Sequence, residues 1–259
     1  MTQPAVAPYG SWKSPITSDL IAAAEIRLLQ VALDGDDVYW VEQRPTEQGR
    51  HVIVRRTRDG AIADVNPPPF NARTRAHEYG GGAFVAHEGV AYFSHFADQR
   101  LYRQGRGETP APITRAGTGM LGAPVRFADG LIDRWRGRMI AVREDHRIAR
   151  HGVVNSLVSL ELEGDSAGGG EVLVSGNDFY SSPRLSPDGS RLAWLTWNHP
   201  NMPWDGTELW VGEMTTSGIL RQVQKVAGYV DESIFQPEWS PDGVLHFVSD
   251  RTGWWNLYR

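Results

Sequence analysis

The 259-residue chain has no cysteine, which excludes disulfides, cysteine-ligated metals and thiol nucleophiles. Basic residues do not dominate: 26 Lys and Arg stand against 31 Asp and Glu, and the net charge of -5 offers no basic face to a nucleic acid. Apolar runs are short, well under the roughly 20 residues that cross a bilayer as a helix. The N-terminal stretch MTQPAVAPYGSWKSP lacks the charged start and apolar core of a secretion signal. Neither a membrane nor a nucleic-acid partner is expected, and the cytoplasm is the default location. Helical periodicity is scarce as well. Its best instance is SDLIAAAEI at 18–26, where Ser18 is placed to cap a short helix. No HExxH or paired-histidine spacing occurs, and the adjacent pairs His77/Glu78 and Asp145/His146 point to opposite faces of a strand. No metal and no cofactor are therefore expected.

Glycine (28) and tryptophan (10) are plentiful, a composition suited to short strands joined by tight turns and packed face to face. SPDG occurs at 186–189 and again at 240–243, each time after PRL or PEW and before an apolar strand. The turn has a mechanism: proline presets φ, aspartate bonds locally, and glycine takes the positive φ that closes a hairpin. Weaker copies place Gly35, Gly89 and Gly137 at the same point, so the five glycines are spaced by 54, 48, 52 and 54 residues. A third strand follows each hairpin, at 51–57, 100–104, 156–162, 208–214 and 255–259. A more polar fourth follows in four cases, at 61–65, 111–115, 171–175 and 219–226.

Four strands in about 50 residues is the size of a propeller blade. The reading is an all-β propeller of four complete blades and a truncated fifth over residues 28–259, preceded by an extension at 1–27. A β-sandwich or an array of hairpins also has short, evenly spaced strands, but not one internal strand order repeated five times. An open ring leaves unpaired edges, so self-association through an exposed blade edge is expected.

Several strings bear a resemblance to bacterial members of the prolyl oligopeptidase family, in the subgroup of dipeptidyl aminopeptidases and acylaminoacyl peptidases. They include RTRAHEYGGGAF at 73–84, VREDH at 142–146, DFYSSPRLSPDG at 178–189, WNHPNMPWDGTELW at 197–210 and FQPEWSPDG at 235–243. The resemblance implies an N-terminal propeller paired with a C-terminal α/β-hydrolase domain that cleaves short peptides by Ser-His-Asp acyl transfer. The serine would sit on a G-x-S-x-G elbow. That elbow and the hydrolase domain are expected to lie outside this chain, which then holds no catalytic residue and is inactive alone. In this reading the short peptide is met through the hydrolase domain, and the propeller gates access and shapes the pocket. A stand-alone propeller binding a protein or peptide partner, as TolB-like and WD-repeat propellers do, is the alternative.

Candidate substrate-binding residues follow from position and chemistry. His77, Glu78 and Tyr79 precede three glycines that let the backbone pass close to another group. Asn201, Trp204 and Asp205 lie in a loop stiffened by two prolines. Asp178, Phe179 and Tyr180 precede the inner strand of blade four, and Glu232 precedes that of blade five. Glu78, Asp178, Asp205 and Glu232 are the acids able to hold an α-ammonium. The run 144–146 reads as a solvated turn, and the Trp254–Trp255 pair as packing between blades.

Overall fold

The computed structural model describes residues 6–11, 13–18, 25–116, 125–147, 152–164, 166 and 169–259. Most of the segment expected as a short helix, 19–24, lies outside the described residues. The rest forms five antiparallel sheets, each a meander in chain order. Blade 1 is β1 (Arg27–Asp34), β2 (Asp37–Arg44), β3 (Arg50–Arg56) and β4 (Ile62–Asp64). Blade 2 is β5 (Phe84–His87), β6 (Val90–Ser94), β7 (Leu101–Gln104) and β8 (Ala111–Pro112). Blade 3 is β9 (Val125–Asp133), β10 (Arg138–Asp145), β11 (Val154–Glu161) and β12 (Glu171–Ser175). Blade 4 is β13 (Phe179–Leu185), β14 (Arg191–Trp197), β15 (Glu208–Met214) and β16 (Leu220–Ala227). Blade 5 has three strands, β17 (Ile234–Trp239), β18 (Leu245–Ser249) and β19 (Asn256–Tyr258). The first strands of successive blades touch, β1 to β5 to β9 to β13 to β17, so the blades are arranged around them as in a propeller. Among the described residues no helix is long and apolar enough to cross a membrane.

The core is divided into layers between blades, and strand periodicity explains why. Successive side chains of a strand leave opposite faces, so a strand buried on both sides is apolar throughout. In β14, Leu192 and Trp194 point into the layer shared with blade 3, whereas Ala193 and Leu195 enter the layer shared with blade 5. In β10, Met139 and Ala141 face blade 2 while Ile140 and Val142 face blade 4. Tyr39, Val41 and Ile53 of blade 1 meet Phe84, Phe93 and Tyr102 of blade 2 in the same manner.

The SPDG turns close as their residues dictate. Gly189 (φ 71°) donates its N–H to Ser186 O at 2.8 Å, and Ser186 Oγ donates to Asp188 Oδ1 at 2.7 Å. In the second copy Gly243 (φ 78°) donates to Ser240 O at 2.9 Å, and Ser240 Oγ bonds Asp242.

Two expectations are corrected. Glu144 and Asp145 are buried, because β10 runs through Asp145 with partners on both sides. Trp254 (81 % exposed) and Trp255 (54 %) do not pack between blades; they lie in the loop before β19.

Candidate functional site

Each inner strand of blades 3, 4 and 5 carries one bulge, and the bulged residue has left-handed backbone: Asp129 (φ 51°), Ser182 (φ 52°) and Gln236 (φ 49°). A bulge adds an unpaired residue and re-aims its side chain. Here the three residues line one cleft of about 700 Å³, together with residues from the entry to blade 2 and the loops that follow β14 and β18. Trp197, Trp204, Phe235 and Trp255 supply its aromatic walls.

The glycine run at 80–82 belongs to the same place. Asp129 N–H donates to Gly82 O at 2.8 Å, and Asp129 Oδ1 accepts the Gly82 N–H at 2.5 Å. Asp129 Oδ2 accepts the Ser182 N–H at 2.9 Å, so one carboxylate joins three blades. A Cβ on Gly81 would lie 2.9 Å from Ala128 Cβ, and one on Gly82 would lie 2.9 Å from Asp129 Oδ1. The close approach that the glycines permit is thus to blade 3. Gln30 serves the junction of blades 1 and 2: its Oε1 accepts the Ala83 N–H at 2.9 Å, and its Nε2 donates to Phe84 O at 2.6 Å.

His77 and Glu78 are both left-handed, at φ 56° and 65°. The His77 ring is buried, and its Nε2 lies 3.0 Å from Tyr180 O, which can only accept, so Nε2 carries a proton. Its Nδ1 faces Glu144 Oε2 at 3.5 Å, and Phe179 and Trp197 meet the ring edge-on. Glu144 Oε2 accepts the His77 N–H at 2.6 Å, while Oε1 takes His146 Nε2 at 2.7 Å and Arg126 Nη1 at 2.9 Å. Burial works to raise the Glu144 carboxyl, but the His77 and His146 side chains, the His77 N–H and Arg126 hold it down to about 2. Glu78 bonds the same Arg126 nitrogen at 2.6 Å. Ligand atoms of Glu78, Glu144 and His146 lie within 4.8 Å of one another, but Arg126 already supplies the positive charge between the two carboxylates. Burial, then the charges of Asp129 and Glu144, push the Tyr79 phenol above its ordinary range, so Tyr79 offers the cleft a neutral hydroxyl.

Of the ten candidate residues, His77, Tyr79 and Trp204 line the cleft. Phe179 stacks on Trp197 at 5.3 Å and 11°, backing the wall. Tyr180 is fully buried in the layer between blades 3 and 4. The other acids serve local structure. Asp178 Oδ2 accepts the His199 N–H at 2.8 Å, Asp205 Oδ2 accepts the Met202 N–H at 2.9 Å, and buried Glu232 accepts Ser249 Oγ at 2.6 Å and Arg251 Nε at 2.9 Å. Asn201 Nδ2 donates to Val230 O at 3.0 Å, tying its loop to the entry of blade 5. The sequence reading missed Asp129, Ser182 and Gln236. Their signal was present: they are spaced by 53 and 54 residues, and Pro183 and Pro237 each follow a bulged residue inside a strand, where proline marks an irregularity.

The spacing G-x-S-x-G does occur in this chain, as GDSAG at 164–168. Its context is not that of an elbow. Ser166 lies in the connection between β11 and β12 of blade 3, rather than in a strand-to-helix turn. The side chain is buried, and Oγ accepts the Glu161 N–H at 3.1 Å. Among the described residues no histidine is hydrogen-bonded to Ser166.

The five blades and the cleft between them define a β-propeller whose bulged inner strands and strand-connecting loops build an aromatic-walled concavity. No protein-family model matches the chain, and no curated protein does. Solved structures do. A puromycin-hydrolysing peptidase of Mycobacterium tuberculosis is 38% identical, with a TM-score of 0.87 over 98% of this chain. A puromycin hydrolase is likewise 38% identical, with a TM-score of 0.84 over 99% of this chain. The chain spans about 40% of the length of each. Prolyl oligopeptidase B from Galerina marginata, at 11% identity and a TM-score of 0.55, shares the fold. The chain belongs to the prolyl oligopeptidase family and corresponds to the propeller part of such peptidases.

Proposed function

We propose that the chain is the propeller part of a serine peptidase acting on short peptides, of the aminopeptidase, dipeptidyl or acylaminoacyl type, and that it gates access and forms part of the substrate pocket. The observation that carries this reading is the cleft itself. Its rings are partly open to solvent, with Trp204 65 % and Trp255 54 % exposed, while the polar residues between them sit on bulged strands. An aromatic-walled concavity with a few convergent polar groups is the form of a small-ligand site. Its size suits one or two residues of an extended peptide and excludes a folded protein.

Three of the wall residues are tryptophans, so occupation is readable in the chain's own fluorescence. Titration with di- and tripeptides bearing a large apolar residue is expected to give a saturable change in emission, weakened by Trp204→Ala. Absence of any saturable change in the wild-type chain would remove the cleft from the substrate path.

A further inference from the structure

A second concavity, of about 420 Å³, lies at the junction of blades 1 and 2 and shares only Tyr79, Gly80 and Gly81 with the aromatic cleft. Strand register builds one side of it. Arg27 of β1 pairs with Gln43 of β2, and Gln43 with His51 of β3, so the three form a row on the face that Val41 and Ile53 turn toward blade 2. Arg73 comes from the entry to blade 2, which runs beside β3 and donates the Ala72 N–H to His51 O at 3.0 Å. Its guanidinium lies over the Phe96 ring, 4.8 Å from the centroid, which occupies one face and leaves the N–H edge free. The lining of this concavity contains both arginines and no aspartate or glutamate. Both arginines are exposed, and among the described residues neither guanidinium has a hydrogen-bond or ion-pair partner. The Gln43 amide and the His51 ring are likewise without a side-chain hydrogen bond among the described residues. Burial, then the charge of Arg73, hold the His51 imidazole down to about 4, so at neutral pH it is uncharged and offers one N–H. Leu29, Val41 and Ala72 supply apolar surface beside these donors.

The concavity thus offers donors and positive charge without an anion of its own, and clefts lined by one sign of charge concentrate the opposite ion. A planar guanidinium fork matches a carboxylate through two parallel N–H···O bonds. We infer that this concavity is a binding site for a small organic carboxylate with a short apolar tail. Arg73, held in place on Phe96, and Arg27 receive the carboxylate, Gln43 and His51 add neutral donors, and Leu29, Val41 and Ala72 receive the tail. The site stands apart from the proposed peptide pocket. The aromatic cleft has the opposite polarity, with the carboxylate of Asp129 and no lysine or arginine in its lining, so an anion is directed to the junction of blades 1 and 2 instead.

The test is calorimetric titration of the 259-residue chain with 4-methylpentanoate and with 4-methylpentanamide, which keeps the tail but lacks the charge. The carboxylate is expected to bind roughly tenfold or more tightly, the scale of a charge-assisted hydrogen bond. Arg27→Gln and Arg73→Gln, with their folds verified by circular dichroism, are each expected to weaken the carboxylate roughly tenfold and to leave the amide unchanged. Arg73→Lys keeps the charge but not the fork and is expected to recover only part of the loss. Trp204→Ala, in the aromatic cleft, is expected to change neither affinity. No saturable heat with the carboxylate, or equal binding of the amide, overturns the inference. Inorganic phosphate binding as tightly as the carboxylate, or full recovery in Arg73→Lys, shows that charge alone is read and overturns the carboxylate assignment. An affinity that survives both Arg→Gln variants, or falls in Trp204→Ala, places the ligand elsewhere and overturns the site.

Discussion

Asp129 Oδ2 accepts the N–H of Ser182 at 2.9 Å, and the two residues hold the same bulged position on neighbouring inner strands, both left-handed. One side chain therefore reads the repeat of the next blade and, through Gly82, that of the previous one.

Removing that carboxylate leaves two backbone donors short of a partner. Asp129→Ala is expected to cost about 1–3 kcal/mol, the usual penalty for unsatisfied buried groups. The urea midpoint measures it, and an unchanged midpoint would show that water replaces the carboxylate without loss.

Two glycines separate crowding from backbone conformation. A Cβ on Gly89 (φ 78°) meets nothing within 4 Å, so Gly89→Ala should cost only the left-handed strain of about 1 kcal/mol. A Cβ on Gly82 would press on Asp129 Oδ1 at 2.9 Å, so Gly82→Ala should cost about 1–3 kcal/mol and distort the cleft. Ligand-induced tryptophan quenching is expected to weaken in Gly82→Ala and to persist in Gly89→Ala.

Glu144 makes the fold sensitive to acid. Its folded pKa of about 2 lies below the ordinary 4.5, so its stabilising contribution is complete above the unfolded value and is lost as pH falls from about 4.5 toward 2. Glu144→Gln should flatten that part of the stability–pH curve and cost roughly 2–4 kcal/mol at neutral pH by leaving Arg126 and the His77 N–H poorly paired. A variant whose stability falls as steeply as wild type over that window would place the acid sensitivity in another group.

The GDSAG string at 164–168 makes a separate point about reactivity. Ser166 is buried and has no histidine bonded to it among the described residues, so the chain alone is expected to show neither labelling by a fluorophosphonate probe nor turnover of aminoacyl amides. Mass spectrometry showing a probe adduct on Ser166 would contradict this.

What the sequence disclosed depended on whether a signal was local. The SPDG turns carry their closure in four residues, and the third strand at 208–214 matched β15 (Glu208–Met214) because apolar alternation and a flanking turn define it. The cleft was harder to see. His77, Tyr79 and Trp204 stood out as unusual strings, whereas Asp129 sits in FADG, which reads locally as a turn although β9 runs through it to Asp133. Its role emerges only when blades 2 and 4 close on either side. Glu144 misled for the same reason: a charged triplet reads as solvated until His77 and Arg126, distant in sequence, surround it.

A crystal structure of the chain grown with a saturating short peptide bearing a large apolar residue tests the central claim most directly. The account predicts a peptide side chain in the cleft, between Trp197, Trp204 and Trp255. An empty cleft, or a peptide ordered elsewhere on the propeller, would contradict it.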